Sequence, residues 1–186
     1  MKPPDSAGEK GRARMKLDIT TTNQAIERLL ETTENPRHRF LLQAYHRHRY
    51  LEIAGRYEEI FAPDMMVEDP VYHFHALGIN TTLEGQDAIR NLYRTWSETG
   101  ECVKYTDDEN AMYIYKAREE MVWPYDDRGR LIGEDVWEVD PGEAEIIELD
   151  PADVITTREA AEILNPLIKP LPAFDETVMG VARSRR

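Results

Sequence analysis

The chain has 186 residues, 41 % of them hydrophobic, which suits a single domain with a sizeable core and little left for a second. Thirty-six Asp and Glu against 23 Lys and Arg leave a net charge of −13, which repels phosphate backbones and anionic lipid, so nucleic acid and membrane fall to the bottom of the list of partners. One cysteine, Cys102, excludes an internal disulfide framework and gives no cluster for a structural zinc site.

The opening MKPPDSAGEKGRARMK is basic but has no apolar core of signal-peptide length, and no apolar run approaches the roughly 18 residues that span a bilayer, so a cytoplasmic protein is expected. Residues 1–17 read as a flexible tail, 18–168 as one domain, and 169–186, with Pro170 and Pro172 ahead of RSRR, as a second tail. TTNQAIERLLETT predicts a short amphipathic helix with threonine caps, ending near Asn35-Pro36. A longer helix follows, in which Leu41, Ala44, Tyr45, His48, Leu51, Ala54 and Gly55 recur at three- and four-residue spacing. His48 lies on that stripe, as a core histidine would, while His46 is ambiguous.

After Pro63 the period becomes two. Met65, Val67, Asp69 and Val71 share one face of a predicted strand, and Met66 and Glu68 take the other. The glycine-bearing ALGINTTLEG reads as a loop. In GQDAIRNLYRTWSETG the residues Ala88, Ile89, Leu92, Tyr93 and Trp96 return to helical spacing. NAMYIYKA, REEMVWPYDD, LIGEDVWEVD and EAEIIELD then read as strands of an antiparallel meander, with turns at DDRGR and DPGE. TTREAAEIL carries the capping box Thr156 with Glu159 and predicts a terminal helix. The order predicts an α+β domain, helices on one face of a strongly curved, mostly antiparallel sheet that forms a cone around a pocket.

In LIGEDVWEVD, alternation sets Leu131, Gly133, Asp135, Trp137 and Val139 on one face and Ile132, Glu134, Val136 and Glu138 on the other. Taking the two glutamates as the solvent side sends Asp135 inward, where burial would favour its neutral, hydrogen-bond-donating form. Asp69 is the polar member of an otherwise apolar row. With Tyr45 on the helix packed over them, the set offers a base and two acidic donors. Met121, Trp123 and Trp137 are candidates to line the pocket and bind substrate; plainer roles stand beside all of these, with Asp before Pro as a strand end, Tyr45 as core, and Met121, Trp123, Tyr125 and Trp137 as core.

These residues resemble the ketosteroid isomerases, within the nuclear transport factor 2-like (SnoaL-like) superfamily. The similarity is densest at QAY (43–45), FAPD (61–64), VEDPV (67–71) and DAIRNLY (87–93), extends loosely over residues 40–150, and includes EDVWEVDPGEAEII. It implies Tyr45 as an oxyanion-hole tyrosine supported by Tyr93, Asp69 as the proton-shuttling base, and Asp135 as a second, protonated oxyanion-hole acid. The implied reaction is double-bond isomerisation of an apolar carbonyl-bearing ring substrate without cofactor or metal, by a homodimer packed through its outer sheet face.

Two stretches depart from that pattern. The first helix looks like an addition, and YHFHALGIN lengthens the chain after Val71. His73 and His75 continue the Asp69 face if the strand persists; beside Asp69 they would favour a dehydratase, cyclase or epoxide hydrolase, and His-x-His without a third ligand is a weak metal signal. A non-catalytic binding or dimerisation module is the remaining alternative.

Overall fold

The computed structural model describes residues 18–99 and 111–180. Helix α1 (Gln24–Thr32) leads to the central helix α2 (Pro36–Ile53), which starts where the Asn35 side chain accepts from the N–H groups of Arg37 and His38 and where Pro36 needs no donor of its own. Strands β1 (Met66–Ala76) and β2 (Ile79–Glu84) form a hairpin, followed by α3 (Gly85–Thr99), β3 (Tyr113–Lys116), β4 (Arg118–Val122), β5 (Leu131–Val139), β6 (Glu145–Glu148) and α4 (Thr157–Leu164). The Thr156/Glu159 capping box of α4 is present as expected.

The α+β class stands, but the sheet differs from a closed or purely antiparallel wall. It is mixed, four-stranded and open, in the order β2-β1-β5-β4, with β1 and β5 parallel at its centre; β3 and β6 form a separate two-stranded ribbon. ALGINTTLEG is not a loop: it is the turn and second strand of the hairpin, with Leu77 and Gly78 both at positive φ as a tight two-residue turn requires.

Helix α2 is enclosed on more than one side. Leu51 joins Ile60, Phe61, Met65, Met66, Tyr72, Ile89, Tyr93 and Leu131 in the core between the helices and the sheet. On another side Asn23 donates to the His46 carbonyl at 2.8 Å, the Tyr50 hydroxyl donates to the Thr20 carbonyl, and Tyr50 and Ala54 pack on Leu164 of α4. The stretch from Lys169 to Gly180, expected to be part of a tail, is also attached. Leu171 packs on the core, the Phe174 ring meets Phe40 edge-on at 5.1 Å, and Asp175–Met179 form a short π-helical turn. The first tail lies outside the described residues. Among them, no helix is long and apolar enough to cross a membrane.

The decisive local feature is a break in alternation. Met66 pairs with Leu131 and Val71 with Gly133, so five steps along β1 oppose two along β5. Met65 and Met66 are both buried, Glu68 and Asp69 both exposed, and Pro70, which has no N–H to give a ladder, sits buried in the irregularity. Beyond it Tyr72, Phe74 and Ala76 point inward, with Glu134 and Val136 beside them on β5; His73, His75, Asp135 and Trp137 take the outer face. Gly133 makes the crossing possible, because a Cβ there would lie 2.0 Å from the Val71 carbonyl oxygen. Gly133→Ala is therefore expected to lower stability by more than about 2 kcal/mol in urea denaturation. Gly142→Ala, with nothing within 4 Å of the added methyl, serves as the near-neutral comparison; equal midpoints for the two would contradict the close approach.

Candidate active site

On α2 the residues Tyr45, His48, Arg49 and Glu52 fall at spacings of three and four and form one polar stripe facing the interior. Trp123, just past β4, lies against it: its ring is 4.6 Å from Tyr45 and 4.5 Å from His48. Below the stripe, His48 Nε2 and the Tyr93 hydroxyl share a hydrogen bond at 2.9 Å, and the hydroxyls of Tyr93 and Tyr72 share another at 3.1 Å. Tyr72 is the register partner of Glu134, so a helix, two strands and α3 converge on one polar interior.

The electrostatics are uneven. Glu134 is 9 % exposed, and burial, then the nearby Glu52 carboxylate, push its pKa up to about 8; Arg49 and the adjacent Trp123 indole pull the other way without compensating. Glu52 is also raised by burial, but Arg49 holds it directly, Nη1 to Oε2 at 3.3 Å, and favours its charged form. Burial, with Glu138 beside it, raises Glu119 on β4 as well. His48 is driven down to about 3, by burial and then by Arg49, and is a neutral imidazole at physiological pH. Burial lifts Tyr45 and Tyr125, and takes Tyr72 and Tyr93 well above the ordinary phenol range, so these hydroxyls remain donors rather than becoming phenolates.

The residues expected to form the site divide into two groups. Tyr45, Tyr93 and Trp123 are inside, and Met121 stands at the margin, paired with inward Val136 but 39 % exposed. Asp69 does not join them: it is exposed beside Glu68, and the buried positions of β1, Met66, Pro70, Tyr72, Phe74 and Ala76, all have the opposite parity. Asp135 is likewise on the outer face, where its Oδ1 lies 3.9 Å from His73 Nε2. His73 also shares a hydrogen bond with Thr82, and His75 stacks on Trp137 at 6.3 Å. Both histidines are thus across the sheet from Tyr45. Among the described residues, no group of three or more His, Cys, Asp or Glu is placed to hold a metal ion.

Glu134, Arg49, Glu52, Tyr72 and Tyr125 were missed. The signal for Glu134 was its shared parity with the buried Val136, which competes with the habit of reading charge as exposure. The signal on the helix was three polar residues, His48, Arg49 and Glu52, in register with Tyr45. A surface depression of about 170 Å³, lined by Lys116, Arg118, Asp140 and Glu145 among others, includes none of these interior groups. Comparison with protein-family models, curated proteins and solved structures finds no match.

The raised Glu134 has a thermodynamic consequence. A carboxyl whose folded pKa lies above its unfolded value binds more protons in the native state between the two, so its contribution to stability is fully present below the unfolded pKa and is lost as pH rises through about 8. Over that window it should contribute a fall of up to about 1.4 kcal/mol per pH unit. Glu134→Gln should flatten this part of the stability profile in denaturation series from pH 5 to 9; an unchanged slope would mean that Glu134 is ionised at neutral pH.

Proposed function

We propose that this chain is an acid–base enzyme of the nuclear transport factor 2-like fold, moving a proton on an apolar, carbonyl-bearing small molecule, with Glu134 as proton donor and Glu52 as acceptor. The observation that carries this reading is the pair of interior acids with unlike surroundings: Glu134 is buried and pushed up to about 8, while Glu52 is held by Arg49. A cone-like form of the fold is part of this proposal, and what supports it is the covering of one face of the sheet by α2 and α3.

The chemistry follows from charge. Glu52, as carboxylate, removes a proton from the carbon beside the carbonyl, and the electron pair moves onto the carbonyl oxygen. The Tyr45 and Tyr125 hydroxyls donate to that oxygen where little water competes. Neutral Glu134 then delivers its proton to the far end of the conjugated enolate, and solvent returns the two acids to their starting states. The net change is double-bond migration, with a ketosteroid-like β,γ-unsaturated ketone as the concrete substrate. Dehydration or cyclisation would use the same two acids. They would not use His73, His75 or Asp69, which face away. A homodimer through the outer sheet face belongs to the same proposal, and the exposure there of Trp137 and Val122 supports it.

Isomerisation of a β,γ-unsaturated ketone is followed by the ultraviolet absorbance of the conjugated product. Glu134→Gln should lower kcat/KM by about 100-fold or more, and the wild-type value should fall as pH rises through about 8. Asp69→Asn and Asp135→Asn should stay within about twofold of wild type, since neither side chain meets the interior. Full activity in Glu134→Gln, or its loss in Asp69→Asn, would return the base to β1 and overturn the assignment. If wild type turns over no such ketone yet binds one, the interior is a binding site and not this enzyme.

A further inference from the structure

Residues 169–180 cover the body without being built into it. None of them is buried, although Phe40, which meets the Phe174 ring, is only 1 % exposed. Among the described residues, no backbone hydrogen bond joins this segment to another part of the chain, and Pro170 and Pro172 have no N–H to offer. A small set of side-chain contacts holds it. Arg47 donates to the Lys169 carbonyl at 2.9 Å, Leu171 packs on the core, and the Arg128 guanidinium lies over the Phe174 ring at 5.7 Å while pairing with Asp175 at 3.1 Å. Both side chains of that ion pair are more than half exposed, so it is worth little in water. A segment attached in this way opens at far lower cost than the core.

The segment lies across the seam between α2 and the turn that joins Tyr125 to Leu131. Arg37 of α2 fixes that turn by donating to the Asp126 and Asp127 carbonyls, each at 2.8 Å. Gly129 leaves the room that two rings fill, since a Cβ there would meet Phe40 at 2.6 Å and Phe174 at 3.3 Å. Further along α2, Tyr45 and His48 meet Trp123 at 4.6 and 4.5 Å. With these rings already in contact, a substrate reaches the polar stripe only when packing along the seam loosens, and residues 169–180 can move without breaking a backbone hydrogen bond to the body. Resting on the interior site proposed above, we infer that residues 169–180 form a strap that closes this seam and lifts to admit substrate, with Ile168, packed on two apolar clusters, as its fixed end. In that step Phe174 leaves Phe40, and Arg128 releases both the ring and Asp175.

Native-state proteolysis of the full chain reads the lift directly. Chymotrypsin should cut between Phe174 and Asp175 before any bond within α2, α3 or the sheet, and the far-ultraviolet circular dichroism of the cut chain should match that of the intact one. Arg128→Ala removes an exposed side chain and both of its strap contacts but keeps the backbone N–H that donates to Asp126, so it should speed this cut about fivefold. Arg118→Ala, which breaks a similarly exposed Arg–Asp pair elsewhere, should leave the rate within about twofold of wild type. A cut at Phe174 that appears only together with cuts in the body, or one no faster in Arg128→Ala, would overturn the strap. The gate is read with 2-naphthol, a phenolic mimic of an enolate, by stopped-flow fluorescence at pH 7. Its association should be about fivefold faster with Arg128→Ala than with wild type. Equal association rates would overturn the gate and leave the interior site standing, whereas no binding to either chain would overturn both.

Discussion

The arrangement depends on how closely β1 and β5 approach at Val71 and Gly133. Parallel strands at the centre of a sheet fix which side chains share a face, and a mismatch of five steps against two resets that choice for everything beyond it. Only glycine tolerates the carbonyl of Val71 so near. With this crossing in place, Tyr72 and Glu134 turn inward together, beneath the polar stripe of α2, and Asp69, His73 and Asp135 turn out. At this crossing the buried parity of β5 passes from Leu131 to Glu134, whereas that of β1 runs on from Met66 to Tyr72. The chemistry available to the interior is therefore decided by a backbone contact and not by the acids themselves.

Once Glu134 is inside, its surroundings account for its state. It faces Glu52, which has Arg49 as a direct partner, whereas Glu134 has Arg49 only at a distance and the neutral Trp123 indole as its hydrogen-bond donor. Two acids that share one cation cannot both be ionised cheaply in a low-dielectric site, so the one without the direct contact retains its proton. The hydrogen-bonded line His48–Tyr93–Tyr72 below them is fully buried, neutral and joined end to end, and it holds α2, α3 and β1 at fixed spacing. The polar interior is therefore built as a supported layer, with groups that titrate above and groups that do not titrate near neutral pH below.

Much of the fold was legible in the sequence because it rests on local signals. Helical spacing located α1 to α4, Asn35-Pro36 separated the first two, the Thr156/Glu159 box started α4, and the turns at DDRGR and DPGE bounded the late strands. The hairpin was hidden because Leu77 occupies a positive-φ position usually left to glycine or asparagine. The parallel pairing of β1 with β5 joins segments about sixty residues apart and leaves no local mark. Of the site, Tyr45, Tyr93 and Trp123 were found from helical period and aromatic character. Asp69 and Asp135 were misplaced for different reasons: in β1 the inward face was taken from Met65, whereas Met66, Tyr72, Phe74 and Ala76 hold it, and in β5 the two glutamates were taken as the solvent side, whereas the buried parity passes from Leu131 to Glu134 and Val136.

The central claim is that Glu134, and not Asp69 or Asp135, is the interior acid, and that it is neutral at pH 7. The most direct measurement is a 13C NMR titration of the side-chain carboxyl groups, with the Glu134 resonance assigned by its absence in Glu134→Gln. The account predicts a midpoint of about 8 for that resonance. A midpoint near the ordinary glutamate value of about 4.3 would contradict it.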